Sequence, residues 1–274
     1  MTQQGFEDYL YRIYTNKTGT AKSYITAIHI IDKLFTCEDI FSLKGKSLTY
    51  IEDTQLLLQI VDFICVQQSL FIKGSDSIFR NIDPEQTSYP KNYFCSAAMK
   101  QLLEYHKFEI YEKADQKIYG KTNGVSISKV LNKHFCLNKI GLDSQVTTTE
   151  RIGQDYFRKM ILENYYNKCC VTGLNIPQIL RASHIVAWAD NKEHRLDPEN
   201  GLCLSATYDA AFDRHLISFD DDYRMIVSKE IKEYYTNDVV KEYFDKFEGK
   251  QISLPKMFLP NKDLLEKHRE KLVG

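Results

Sequence analysis

Between Ile179 and Leu216 the hydrophobic pattern changes period within one short segment, and few folds accommodate that. ILRASHIVAW (residues 179–188) is short, apolar and β-branched, which predicts a strand carrying His184. ADNKEHRLDPENG (189–201) is polar and closes on Pro198 and Gly201, as a loop does. LCL (202–204) reads as a second strand. SATYDAAFDRHL (205–216) returns to helical spacing, with Ser205 placed to cap it. Just upstream, Thr172-Gly173 of CCVTGL suits a tight turn. Strand, loop, strand and helix make a small ββα unit. His184 lies on its first strand, Asn200 in the loop beside the second, and Asp209 on the helix.

That trio suits phosphodiester hydrolysis. An imidazole with a near-neutral pKa can take a proton from a water attacking phosphorus. An asparagine can fix the imidazole or tie the loop to the strand without adding charge. A helix-borne carboxylate can hold a hard divalent cation against the scissile phosphate. One cation suffices when the base is a side chain.

The whole run CCVTGLNIPQILRASHIVAWADNKEHRLDPENGLCLSATYDAAFDRHLISFD resembles the HNH nuclease superfamily, whose fold is the ββα-metal unit. More narrowly, it resembles the branch found in bacterial restriction endonucleases and related defence nucleases. The V-T-G turn, S-H-I, R-L-D-P-x-N-G-L-x-L and D-x-A-F-D blocks occur together and in order. The likeness extends from about Gln154 to the terminal LLEKHREKL. It implies that His184 is the general base and Asn200 the middle asparagine, with Asp209 at the helix-borne metal position that is often histidine. Asp213 matches a further acidic position, able to assist the metal or to cap packing. Two departures stand out. Ser183 occupies a place where many relatives carry an acidic ligand, leaving water or Asp213 to complete the metal shell. His215 replaces a glycine common after D-R, either as an extra imidazole or as a tolerated substituent. Arg181 and Arg214 flank the site and can hold the scissile phosphate, while Arg195 can pair with Asp197 or reach phosphate. His194 and His268 are expected at the surface or in packing.

The remainder divides by pattern and charge, predicting an α+β protein of three parts. Residues 1–105 read as helical, from the spacing of Tyr24, Ile25, Ile28, Ile31 and Leu34 and from two later periodic runs. Thr18 or Thr20 is the expected cap of the first of these, after a break at Gly19, and Pro90 the expected start of the last. SDSIFRNIDPEQTSYP between the later runs reads as a polar loop. The opening residues, through Phe6, Tyr9-Leu10, Thr20-Ala21 and Tyr24, resemble the helical DNA-binding domain at the start of tyrosine recombinases, so this part is expected to bind DNA or to dimerise. Residues 106–148 form a basic connector with short strands. Its first portion, 106–141, carries seven lysines against Glu109, Glu112 and Asp115, and KIYGKTNGVSI reads as a turn between strands. Residues 149–274 form the nuclease domain, beginning with a helix that Thr149 can cap and in which Phe157, Ile161, Leu162 and Tyr165 share a face. RMIVSKE alternates as a strand, and the last two long polar runs are helical.

Composition narrows the setting. Net charge is −1, so nothing global advertises a polyanion. No uninterrupted apolar run reaches the roughly 20 residues of a membrane helix, and the N-terminus lacks a signal pattern, so a cytoplasmic protein with no membrane partner is expected. The seven cysteines (Cys37, Cys65, Cys95, Cys136, Cys169, Cys170 and Cys203) are odd in number and lie among apolar neighbours, which predicts reduced thiols. None forms a C-x-x-C pair, so zinc is not expected. Together these readings predict a Mg²⁺- or Mn²⁺-dependent endonuclease cutting double-stranded DNA. The expected form is a homodimeric restriction enzyme with a possible cognate DNA methyltransferase. The alternatives are an indiscriminate or nicking anti-phage effector nuclease, or a non-catalytic DNA-binding module with a decayed site at Ser183 and Asp209.

Overall fold

The computed structural model describes residues 1–43, 45–135 and 144–273. Helical periodicity at the start of the chain becomes α1 (Gln3–Ile13), α2 (Thr18–Glu38), α3 (Thr54–Ile72), the single turn α4 (Ser88–Lys91) and α5 (Phe94–Ile118). The chain parts into two compact units. The first holds Met1–Asp115, and the second holds the described residues from Gln116 onward apart from 144–148.

In the first unit the apolar faces of the helices close on one another. Phe6 and Leu10 of α1, Ile28, Ile31 and Phe35 of α2, Leu57, Ile60 and Ile64 of α3, and Met99 and Leu102 of α5 are buried in one cluster. Each such side chain contributes roughly 1.5–3 kcal/mol when taken from water. Polar groups inside are paired. Gln68 donates to Ser96 Oγ at 3.0 Å and accepts from Ser96 N–H at 3.0 Å. Asp32 on α2 holds the loop after it, accepting from Ser47 Oγ at 2.7 Å and Leu48 N–H at 2.8 Å. With a mean hydropathy of 1.5 over its apolar window, α3 is long and apolar enough to cross a membrane by length and composition only. Asp62 and four glutamines interrupt its sequence, and its buried Gln68 is bonded within the unit.

Several local expectations for this half are corrected. Thr18 and Thr20 lie inside α2, which starts without a side-chain cap, and Gly19 does not break it. Pro90 sits within α4 instead of opening α5. The stretch expected as a polar loop contains short 3₁₀ turns that bury Phe79 completely. An apolar ring drives such a turn inward whatever its polar neighbours prefer.

The second unit adds α6 (Gly124–His134), α7 (Ser144–Asn164), β1 (Leu180–His184), β2 (Gly201–Ser205), α8 (Ala206–Asp213), β3 (Ile217–Phe219), β4 (Met225–Val227), α9 (Lys229–Lys232), α10 (Asp238–Tyr243) and α11 (Lys262–Arg269). The short strands expected within 106–148 are replaced, among the described residues, by the end of α5 and by α6. Asn123-Gly124 does not make a hairpin turn; Asn123 Oδ1 accepts from Ser126 N–H at 2.8 Å and caps α6. An Asn-Gly pair carries the same signal for both outcomes. Gly124 is required by proximity, since a Cβ there would come within 2.0 Å of Asp197 Oδ1. Cys136 and Lys139 lie outside the described residues. Thr149 falls inside α7, five residues beyond its start, and so does not cap it.

The strand–loop–strand–helix order takes the predicted form. β1 and β2 pair antiparallel with Leu180 opposite Ser205 and His184 opposite Gly201, and α8 packs on both strands. Phe157, Ile161 and Leu162 of α7 and Tyr165 just past its end are all buried, with Phe157 and Ile161 pressed against Gly201. Gly173 adopts φ +73° in the turn before β1, a conformation that costs other residues energy. RMIVSKE contains the expected strand, β4, which pairs with β3. β3 was not expected, because three residues leave too little alternation to read. The polar runs near the C-terminus form only the short helices α9, α10 and α11.

Candidate active site

His184 ends β1, and its ring is held from three sides. It stacks on Phe157 at 4.0 Å between centroids and 11° between planes, and meets Trp188 edge-on at 5.7 Å. Its Nε2 lies 2.9 Å from the carbonyl oxygen of Arg195. A carbonyl can only accept, so Nε2 carries the proton and Nδ1 keeps the basic lone pair. Burial holds the imidazole pKa below its usual 6.5, partly offset by the Arg195 carbonyl. The ring is therefore neutral near pH 7.

Asn200 is 1% exposed and serves the loop. Its Oδ1 accepts from Val186 N–H at 2.9 Å, while Nδ2 donates to Val186 O at 3.1 Å and His194 O at 2.9 Å. Of the two roles open to it, this geometry is loop tying: the asparagine joins the backbone at Val186 to that at His194, across the loop that follows His184. Arg195 works in the same loop, donating from Nε to Trp188 O at 2.9 Å with its guanidinium over the Trp188 ring at 5.2 Å. The buried Asp197 carboxylate takes His194 Nδ1 at 2.6 Å. Helix α6, in the segment expected to be a connector, braces the loop as well. Asn132 Nδ2 donates to Lys192 O at 2.9 Å, Ser128 donates to Glu193 O, and Gly124 N–H donates to Glu199 at 3.0 Å.

Asp209 lies in the first turn of α8 and Asp213 one turn later, and both line a cleft of about 550 Å³ with His184. Ser183 is buried beside His184 and donates its hydroxyl to Asp209 Oδ1. Burial raises the Asp213 pKa, Asp209 raises it further, and Arg214 lowers it. Ser205 takes the N-cap position of α8, but its side chain makes no capping bond. At the other end, His215 N–H donates to Phe212 O and Leu216 N–H to Ala211 O, both at 2.8 Å. This is a left-handed helix stop, and His215 has φ +54°. The backbone thus explains why a glycine is common in that position.

The structure brings together His184, Asp209 and Asp213 and puts Asn200 behind them. Arg181, Arg195 and Arg214 are not among the residues lining the cleft. Arg181 and Arg214 are exposed and donate to local carbonyls, Leu180 O at 3.0 Å and Ala210 O at 2.9 Å. His268, expected in packing or at the surface, is packed: it is 3% exposed, stacks on Phe212 at 3.7 Å, and has its pKa lowered to about 4 by burial. Sequence reasoning missed Lys267 and Lys271, which do line the cleft. Their spacing in a charged C-terminal segment gave no sign of it.

The donor set fits a hard divalent cation. Among the described residues no three His, Cys, Asp or Glu side chains gather as a metal cage. Mg²⁺ commonly takes one or two carboxylates and fills its remaining positions with water and substrate phosphate. Asp209 and Asp213 offer that pair of oxygen donors. Residues 169–220 match a family model described as HNH endonuclease. A search among curated proteins finds no match.

Proposed function

With residues 169–220 belonging to the HNH endonuclease superfamily, we propose that the chain is a metal-dependent restriction endonuclease that hydrolyses double-stranded DNA. The observation that carries this reading is the His184 imidazole, with its proton on Nε2 and its Nδ1 free, lining one cleft with Asp209 and Asp213. HNH nucleases use divalent metal ions, and here Asp209, with Asp213, would hold Mg²⁺ or Mn²⁺. When bound, the cation stabilises the charge that builds on the phosphoryl oxygens and the leaving group.

The chain's own residues supply the rest. His184 Nδ1 takes the proton of the attacking water, and the Arg195 carbonyl stabilises the resulting imidazolium through Nε2–H. Phe157 and Trp188 keep the ring from turning away. Asn200 holds the loop so that the Arg195 carbonyl stays in reach. Ser183 orients the Asp209 carboxylate. Cutting both strands requires two such sites, which supports a homodimer; a cognate methyltransferase would protect the host DNA in such a system.

Incubation of phage DNA and plasmid with Mg²⁺ tests the proposal. Discrete bands are expected from the parent protein and none from His184→Ala. A smear instead of bands would replace restriction with indiscriminate degradation. Cleavage by His184→Ala at the parental rate would overturn the role of the base.

A further inference from the structure

The cleft is acidic, which poses a difficulty for a polyanionic substrate. Asp190, Asp209, Asp213 and Glu270 line it, and among the described residues its only lysines or arginines are Lys267 and Lys271. Both belong to the C-terminal segment, outside residues 169–220 that the family model matches. Lys267 lies in the last turn of α11, and Lys271 lies four residues further, in the turn that follows.

This segment is fixed to the site helix by specific contacts. His268 stacks on Phe212 of α8, accepts or donates at Ser218 Oγ at 3.0 Å, and approaches Phe212 O at 3.1 Å. Val273 N–H donates to His215 O at 3.0 Å, joining the tail to the left-handed stop just past α8. Leu264 and Leu265 anchor the other side of α11 in the core. Helix α8 carries Asp209 and Asp213, so the same packing fixes both the carboxylates and the lysine wall. Both lysines are exposed, and neither ammonium has an ion-pair partner among the described residues.

We infer that Lys267 and Lys271 form a phosphate-binding wall, which contacts the DNA backbone beside the phosphate that a cation on Asp209 and Asp213 would hold. The inference rests on the nuclease reading for the identity of the polyanion. A lysine is suited to the task as a compact point charge that follows the backbone without reading bases. Two unpaired ammonium groups offset part of the acidity of the cleft, so a strand can enter it.

Salt dependence of binding tests the wall. In a His184→Ala background with Mg²⁺, binding of a fluorescein-labelled duplex is measured by anisotropy between 50 and 200 mM salt, as in the range where phosphate contacts dominate. Lys267→Gln and Lys271→Gln are each expected to reduce the slope of log K against log salt by about 0.9, the value for one neutralised phosphate. The double variant should lose about twice that. Thermal melting checks that these exposed substitutions leave folding unchanged. Unchanged slopes in folded variants, with the parent cutting DNA, overturn the wall and leave the nuclease reading intact. Lysine-dependent slopes in a protein that never cuts support the wall and overturn the nuclease reading. A parent that binds no duplex overturns both.

Discussion

Ser183 donates its hydroxyl to the carboxylate of Asp209, a residue 26 positions further along the chain. The serine, at the place where many relatives carry an acidic ligand, thus acts on the carboxylate proposed to hold the metal instead of adding a second one. Partners that orient a ligand in this way commonly alter metal affinity 10–100-fold when removed. Ser183→Ala is expected to raise the Mg²⁺ concentration for half-maximal cleavage about 10-fold or more, with little change at saturating Mg²⁺. A metal titration of initial cleavage rates checks this, and Ser183→Thr, which keeps the hydroxyl, should recover most of the affinity.

Asn200 makes three hydrogen bonds to backbone groups of Val186 and His194 and is almost fully buried. Asn200→Ala leaves those groups without partners, each at a cost of about 1–3 kcal/mol. A loss of stability of roughly 3 kcal/mol or more is expected, visible as a lower urea midpoint with an unchanged slope. A variant that melts like the parent yet fails to cut would assign Asn200 to the chemistry instead of the loop.

Gly201 stands opposite His184 in the hairpin, and a Cβ placed there would lie 2.3 Å from Ile161 Cδ1 and 2.9 Å from Phe157 Cζ. Gly201→Ala must therefore displace the ring on which His184 stacks. Overpacking of this kind costs about 1–3 kcal/mol, and the base moves with its support. Reduced melting temperature together with reduced kcat is the expected result. Full activity in this variant would show that the Phe157 contact does not position the imidazole.

The pH dependence follows from the burial of His184. Its conjugate acid is disfavoured, so the folded pKa lies below 6.5, and the neutral ring is the form proposed to act as base. Activity is lost as pH falls through that lowered pKa. The acidic limb of log kcat/KM should therefore have its midpoint below 6.5, with a plateau across neutral pH before any other group titrates. A midpoint above 7 would remove His184 as the base.

Much of the site was legible because its signals are local. The strand with His184, the loop closing on Asn200 and Gly201, and the helix with Asp209 and Asp213 each follow from period and turn chemistry over a few residues. The helices of residues 1–105 follow from the spacing of residues such as Ile28, Ile31 and Leu34. Boundaries were less legible, because Thr18, Thr20 and Pro90 satisfy helix-start rules at positions where packing carries the helix past them or stops it earlier. Asn123-Gly124 misled for a related reason: one dipeptide serves a hairpin turn and a helix cap equally well, and only the close approach of Asp197 to Gly124 decides between them.

By itself, then, the sequence determined the order of elements in the segment that matches the nuclease family and singled out His184, Asp209 and Asp213, which the fold brings to one cleft, since hydrophobic period and side-chain chemistry are properties of neighbours along the chain. The tertiary structure decided which nitrogen of His184 is free, that Ser183 orients Asp209, that α6 braces the loop, and that Lys267 and Lys271 reach the cleft in place of Arg181, Arg195 and Arg214. Each of those outcomes depends on a contact between residues distant in sequence, or on the direction in which packing turns a side chain. Local pattern carries no record of either.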